Sequence, residues 1–240
     1  MIVKKIYNIY IMKRLILNKT PKLVLEPIED DTIIIDYFVI HMLKSIERKQ
    51  QINIMQNRLK KPITNFNAID GATIKQMYEY DTELNNTIKT INNNILGCYL
   101  SHFLLIKQLI NNNITDNYTV VFEDDFNIKY DNLDGIIKNI ITQVSDFDII
   151  FLGILQNTVL KKIKLYDNIY NTKQVLFGTH ALLINNKSLE KIYNELKNMN
   201  EPIDEKYSNL CKLTNFKILY IQPNLVSQSG LPSLIGNHSI

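Results

Sequence analysis

The sequence predicts an α/β fold, a mostly parallel central sheet with helices on both faces. Two observations predict it. Short apolar β-prone runs recur between residues 33 and 221, and segments of helical periodicity separate them. Apolar runs without polar alternation suit strands covered on both faces. Their alternation with helices is the pattern of βαβ units. No repeat and no second boundary interrupts this stretch, so residues 32–240 are expected as one domain. Residues 1–31 are expected as an N-terminal extension, set off by Pro21, Pro27 and Glu29-Asp30-Asp31.

The elements follow in order. Tyr37 to Ile40 is a continuous apolar run, with Ile33 to Ile35 just before it, and reads as the first strand. Ser45 offers an N-cap for a polar helix running to about Lys60. Ile63 to Ile69 is a second strand, ended by the turn signal Asp70-Gly71. Residues 74–95 are polar and weakly patterned. Leu96 to Ile110 is a helix, with Leu100, Phe103, Leu104 and Lys107 at helical spacing. Tyr118 to Phe122 is a short buried strand that runs into Glu123-Asp124-Asp125. Ile136, Ile137, Ile140, Ile141 and Val144 form the stripe of an amphipathic helix. Ile149 to Leu152 is a strand stopped at Gly153. Val175 to Ile184 holds one or two strands around Gly178, and Leu189, Ile192, Tyr193 and Leu196 mark a helix. A helix is expected over Glu205 to Leu213, and Phe216 to Ile221 is the last strand before Pro223.

Composition excludes several functions. The 240 residues hold 7 Gly, with no GxGxxG and no GxxxxGK[ST], so dinucleotide and P-loop fingerprints are absent. A net charge of +3 without a clustered basic face argues against nucleic acid; Lys60-Lys61 and Lys161-Lys162 are short solvated pairs. The 30 Asn and 39 Ile share A/T-rich codons and are read as genome bias. Cys98 and Cys211 give no disulfide framework and are expected as thiols. No apolar run reaches the ~18 residues of a transmembrane helix. Lys4, Lys5, Asn8, Lys13 and Arg14 break the apolar N-terminus, so a signal peptide is not expected. The expected compartment is the cytoplasm, the host's if the A/T-rich genome is that of a large DNA virus.

Glu123-Asp124-Asp125 is the most informative triplet. Adjacent carboxylates repel and contribute little to a fold. These follow a buried strand directly and so lie at its carboxyl end, the edge where open α/β sheets bind ligands. In extended chain residues 123 and 125 point one way and 124 the other. Two oxygen ligands on one face suit a hard cation such as Mn²⁺ or Mg²⁺, which fills its remaining positions with water and phosphate oxygens; the triplet alone also reads as a solvated acidic turn. Asp146-Phe147-Asp148 is a literal D-x-D, but Asp146 precedes its strand and so lies at the other edge. Asp131 and Asp134 flank a helix start, where Asp caps and complements the dipole.

At these residues the chain resembles glycosyltransferase family 25, which includes bacterial lipopolysaccharide galactosyltransferases and procollagen galactosyltransferases. Phe38-Val39-Ile40-His41-Met42-Leu43 with Glu47-Arg48 is similar to the family's opening V-I-N-L…R. Ala68-Ile69-Asp70-Gly71 resembles A-x-D-G, Gly97-Cys98-Tyr99-Leu100-Ser101-His102 resembles G-C-x-x-S-H, and Val121 to Asp125 resembles hydrophobic-E-D-D. Asp146 to Gly153 is similar to D-W-D-I-x-x-L-G, and Gly178-Thr179-His180-Ala181 to G-T-x-A. Pro202-Ile203-Asp204, Gln228 and Ser233 follow. The likeness spans about residues 36–236, and its specific part is G-C-x-x-S-H followed by E-D-D. Gly71, Gly97, Gly153, Gly178 and Gly236 fall at or beside these blocks, against a composition poor in Gly. His41 departs from the family's Asn.

The resemblance implies a GT-A-type fold. It also implies inverting transfer of a hexose, most often galactose, from a UDP-sugar to a hydroxyl of a saccharide or of hydroxylysine in a collagen-like chain. It implies Mn²⁺ or Mg²⁺ at Glu123 and Asp125, with Asp125 as the direct ligand and Asp124 beside the donor. His180 either completes the metal or diphosphate site or is a buried core residue. Ser101 and His102, at the start of their helix, suit a phosphate or a carboxylate. Arg48 either contacts the nucleotide or forms a surface ion pair, and His41 either donates to the base or is structural. An inverting transfer needs a general base. Asp204 is that base or an N-cap, and Asp148 is the second candidate. Cys98 is read as packing. The reading from another class is an inactive relative that binds sugar or serves in an assembly; a metal-dependent phosphoryl-transfer enzyme would need more phosphate-cradling Gly or Lys near Asp125. Monomer and homo-oligomer both stay open.

Overall fold

The computed structural model describes residues 22–74, 92–113, 117–155, 163–171 and 173–230. Most of the expected extension, much of the polar stretch before Leu96, Lys161-Lys162, Ser233 and Gly236 lie outside them.

Three elements build the first edge of the sheet. β1 (Ile35–His41) leads into α1 (Ile46–Leu59), which begins after Ser45 and ends on Lys60 in the left-handed conformation. β2 (Thr64–Asn67) follows. Next come α2 (Asn93–Asn111), β3 (Tyr118–Glu123), β4 (Phe126–Ile128), α3 (Leu133–Gln143) and β5 (Ile149–Phe151). The chain continues through β6 (Ile163–Tyr166), β7 (Ile169–Asn171), β8 (Ala181–Asn185), α4 (Leu189–Leu196), α5 (Ile203–Asn209), β9 (Ile218–Ile221) and β10 (Val226–Gln228). Among the described residues an eight-stranded sheet has the order β2-β1-β3-β8-β5-β9-β7-β6, and β4 and β10 pair apart from it.

The sheet is mixed but mostly of one direction. β2 and β3 lie parallel to β1, and β9 lies parallel to β5. β8 runs antiparallel between β3 and β5, so those two strands again share a direction. β7 is antiparallel to β9, and β6 to β7. Only β8 and β7 therefore oppose the common direction. The inserted β8 matters for function, because its first residues lie at the edge where β1, β2 and β3 end.

Helices cover both faces. On one face, Ile52, Met55 and Leu59 of α1 and Leu133, Ile136, Ile137, Ile140 and Ile141 of α3 meet Val39, Val120 and Phe122. On the other, Leu96, Tyr99, Leu105, Ile106 and Leu109 of α2 join Leu189, Ile192 and Tyr207 against Phe38, Ile40 and Val121. Burying each such side chain contributes roughly 1.5–3 kcal/mol. The strand residues alternate between the two faces, which is why every run is apolar throughout. Residues 22–31 lie along the first face. Leu25 is buried, Ile28 N–H donates to Gly135 O at 3.0 Å, and Val24 N–H donates to Asn168 Oδ1 at 2.7 Å. Among the described residues no helix is long and apolar enough to cross a membrane.

α5 starts at Ile203, two residues before the expected start, with Pro202 at its cap. The β6–β7 hairpin and the β4–β10 pair are absent from the sequence reading. Each has strands of three or four residues, too short for a period to show.

Candidate active site

A cavity of about 380 Å³ opens at the carboxyl ends of β1, β2 and β3. Its wall includes Ile40, Lys44, Arg48, Asp70, Cys98 and the Glu123-Asp124-Asp125 triplet. Two close backbone approaches form it. A Cβ on Gly97 would lie 2.7 Å from Ile69 O and 2.9 Å from Gly71 N, and one on Gly71 would lie 2.4 Å from Asn93 O. Glycine at both positions lets the Ile69–Gly71 turn press onto the start of α2. The Ser101 hydroxyl ties the same joint, accepting from Ile69 N–H at 2.8 Å and donating to Gly97 O at 2.7 Å. Ser101 thus lines the cavity as a staple between chain segments, and it lies in the middle of α2, which begins at Asn93, not at a helix start suited to a phosphate or a carboxylate.

The triplet divides its work. Asp124 turns toward α1 and is buried. Its Oδ1 accepts from Arg48, and its Oδ2 accepts Met42 N–H at 3.3 Å and lies 3.1 Å from His41 Nδ1. Arg48 and Asp124 side chains are both 8% exposed, so this is a desolvated ion pair, costly to break from one side. His41, 2% exposed, does not line the cavity and holds Asp124, the structural one of the two roles expected of it. Arg48 does line the cavity, 3.9 Å from Asp125 Oδ2, and it is buried rather than part of a surface pair. Asp124 also lines the wall, with both oxygens engaged by protein.

Glu123 and Asp125 have less cationic compensation. Glu123 Oε1 lies 3.3 Å from His102 Nε2 and accepts from the Thr179 hydroxyl at 2.5 Å. Burial opposes its ionisation, but these hydrogen bonds and His102 outweigh it and hold the carboxyl below its ordinary range. Asp125 is pushed up to about 7 by burial and by the charges of Glu123 and Asp124, against the pull of Arg48. Its Oδ1 is buried with no hydrogen-bond partner among the described residues. A carboxylate oxygen left without a donor beside two other carboxylates fits a divalent cation. Asp125 would hold it. Lys44, 2.5 Å from Asp70 Oδ2, completes the cationic side of the cavity.

β8 brings a second group of residues to this edge. Glu123 N–H donates to His180 O at 3.2 Å, so Gly178-Thr179-His180 lies beside the end of β3. His180 is buried. Its Nε2 lies 3.3 Å from Val226 O, and its Nδ1 has no partner among the described residues. Burial lowers its pKa, opposed by Glu123, so it is a neutral imidazole behind Glu123, off the cavity wall. Its burial matches the core residue of the two roles expected of it, and its unpartnered Nδ1 leaves one ring nitrogen available. His102, also buried and in the middle of α2 rather than at its start, stacks edge-on against Tyr207 and faces the Glu123 carboxylate, one of the two anions expected of it.

Asp204 belongs to this neighbourhood. It sits in the first turn of α5, accepts Glu205 N–H at 3.0 Å and Gly178 N–H, and feels the charge of Glu123. Burial and Glu123 raise its pKa. With Pro202 at the cap, Asp204 is not the N-cap. Asp148 is a different case and a correction. It precedes β5, level with Tyr118 at the start of β3, because its carbonyl accepts Asn185 N–H and Asn185 pairs with Tyr118. Five residues of strand, about 17 Å, separate that level from Glu123. Its carboxylate is taken by Ser188, by Lys217 N–H at 2.6 Å and by Lys191 Nζ at 2.7 Å. Asp146 is beside it, 3.3 Å from Lys217 Nζ.

Lys44 and Thr179 were missed as site residues. Thr179 stands in Gly178-Thr179-His180-Ala181, but only the neighbouring strand shows its partner, Glu123. Lys44 follows the first strand as an ordinary surface lysine would.

The sequence model of a family described as "Glycosyltransferase family 25 (LPS biosynthesis protein)" matches residues 34–207. No curated protein matches the chain. Among solved structures, a glycosyltransferase "involved in the glycosylation of the major capsid of PBCV-1" is similar at 10% identity and TM-score 0.46. That match covers 83% of this chain and 94% of the other.

Proposed function

Since the chain belongs to glycosyltransferase family 25, we propose that it moves a hexose, galactose by the resemblance, from a UDP-sugar to a hydroxyl acceptor with inversion and with a divalent cation. The acceptor class is a saccharide end or a hydroxylysine. The observation that carries this reading is the buried, unpartnered Oδ1 of Asp125 in a carboxylate-lined cavity at the carboxyl edge of the sheet. Mn²⁺ or Mg²⁺, when bound, neutralises the charge that develops on the leaving diphosphate.

The chain's own residues would do the rest. Asp125 holds the cation. Arg48 and His41 fix Asp124, and the turn from Asp124 to Asp125 is thereby fixed. Lys44, on the cavity wall with Asp70, would offer its charge to the diphosphate. Glu123, held by His102 and Thr179, borders the sugar. Asp204, near enough to Glu123 to feel its charge although outside the cavity lining, would receive the acceptor proton as the hydroxyl attacks; its raised pKa suits a base, and proton removal of this kind is worth roughly 10²–10⁴-fold. A screen of UDP-sugars with and without Mn²⁺, reading UDP release, tests the reading. Release from one UDP-hexose that EDTA stops and Mn²⁺ restores is expected. Binding of a sugar nucleotide with no turnover under any metal would instead support an inactive, sugar-binding relative.

A further inference from the structure

We infer that Cys98, His102 and Glu123 form a second cation site, one that takes a borderline-soft divalent ion of the Zn²⁺ kind. Cys98 and His102 stand four residues apart on α2 and so share one face of the helix. Glu123, the last residue of β3, meets that face. One ligand atom from each residue, a sulfur, a ring nitrogen and a carboxylate oxygen, lies within 4.8 Å of the other two. Ligand atoms around a tetrahedral zinc ion lie on the order of 3–4 Å apart. A contraction of about 1 Å, within the reach of side-chain rotation, closes the site.

The position is open to an ion. Cys98 is half-buried, and both Cys98 and Glu123 line the cavity, while His102 backs them from the core. Three protein ligands with the fourth direction facing a cavity make the arrangement of an open zinc site. Burial, and after it the carboxylates of Glu123, Asp204, Asp125 and Asp124, push the Cys98 thiol up, so it keeps its proton until a cation arrives, and the same carboxylates make the place negative toward that cation. A thiolate and an imidazole discriminate against Mg²⁺ and Mn²⁺, which prefer the all-oxygen surroundings of Asp125. The two sites therefore differ in chemistry although both open on one cavity. On binding, the Cys98 thiol releases its proton to solvent, and the His102 ring keeps one proton at Nδ1 and presents Nε2. The ion replaces the His102–Glu123 hydrogen bond, and Thr179 continues to hold Glu123 from outside the ligand set.

The site is read from ligand atoms and does not rest on the sugar-transfer reading. The full chain, stripped of metal, is titrated with Co²⁺ as the spectroscopic probe. One equivalent should give a sulfur-to-cobalt charge-transfer band in the near ultraviolet, which Zn²⁺ bleaches and Mn²⁺ leaves. Cys98→Ser should abolish the band, Cys211→Ser should keep it, and His102→Gln should weaken Co²⁺ binding roughly 10–100-fold or more. Circular dichroism confirms the fold of each variant. A folded wild-type chain without the band overturns the site, and that result needs no variant. A band that survives Cys98→Ser, or His102→Gln with unchanged affinity, overturns it as well.

Discussion

The Thr179 hydroxyl donates to Glu123 Oε1 at 2.5 Å, joining the loop that enters β8 to the last residue of β3. The contact exists because β8 runs antiparallel to β3. A parallel strand in that place would deliver its end, not its beginning, to the cavity. Gly178, Thr179, His180 and, through Gly178, Asp204 reach the carboxylate triplet by this reversal.

Asp125→Asn should abolish transfer and stabilise the metal-free fold at alkaline pH. Its folded pKa of about 7 lies above the ordinary 3.8, so the native state holds the proton more tightly within that window. The ionised carboxylate therefore costs stability that grows as pH rises from 3.8 to about 7 and is full above it. About three units at 1.36 kcal/mol each set a ceiling of roughly 4 kcal/mol. Melting in EDTA should show the variant gaining on wild type at pH 8 and not at pH 4. Mn²⁺ affinity of the wild type should fall below about pH 7. Equal melting of both proteins at pH 8 would contradict the buried charge.

Asp204→Asn should lower kcat by roughly 10²-fold or more with little change in UDP-sugar affinity. The residue accepts Glu205 and Gly178 N–H groups but is not the cap of α5, so silent replacement is not expected. Turnover and donor binding measured together check this, and near-wild-type turnover would remove Asp204 as the base.

Asp148→Asn should leave turnover intact and destabilise the fold. Its carboxylate accepts from Ser188, Lys217 N–H and Lys191, at the far edge of the sheet. Loss of charge among these donors is worth roughly 1.5–3 kcal/mol. Urea midpoints measure that loss. A fall in kcat below the unfolding range would place Asp148 in the chemistry after all.

Gly97→Ala should cost about 1–3 kcal/mol, as overpacking does. The added Cβ meets backbone on Ile69 and Gly71, which cannot rotate away as a side chain would. Because Ile69, Asp70 and Gly71 line the cavity, KM for the donor should rise more than kcat falls. Steady-state kinetics on the folded variant decide it; an unchanged KM would separate this joint from donor binding.

By itself the sequence determined the α/β class, because strand and helix periodicities are local. The runs at Tyr37–Ile40, Tyr118–Phe122, Ile149–Leu152 and Phe216–Ile221 and the stripe at Ile136–Val144 all became the expected elements. It also placed Glu123-Asp124-Asp125 at a strand's carboxyl end, since a strand's direction is the chain's. Tertiary structure alone decided which carboxylate does what. Strand alternation separates Asp124 from Asp125, but only the fold brings Arg48, 76 residues away, to take the one and leaves an oxygen of the other bare. The sequence ranks Asp204 before Asp148 as the base, but only strand register sent Asp148 to the far edge and only β8 drew Asp204 in. Pairing partners, burial and charge compensation are properties of long-range contact, and no window of the sequence contains them.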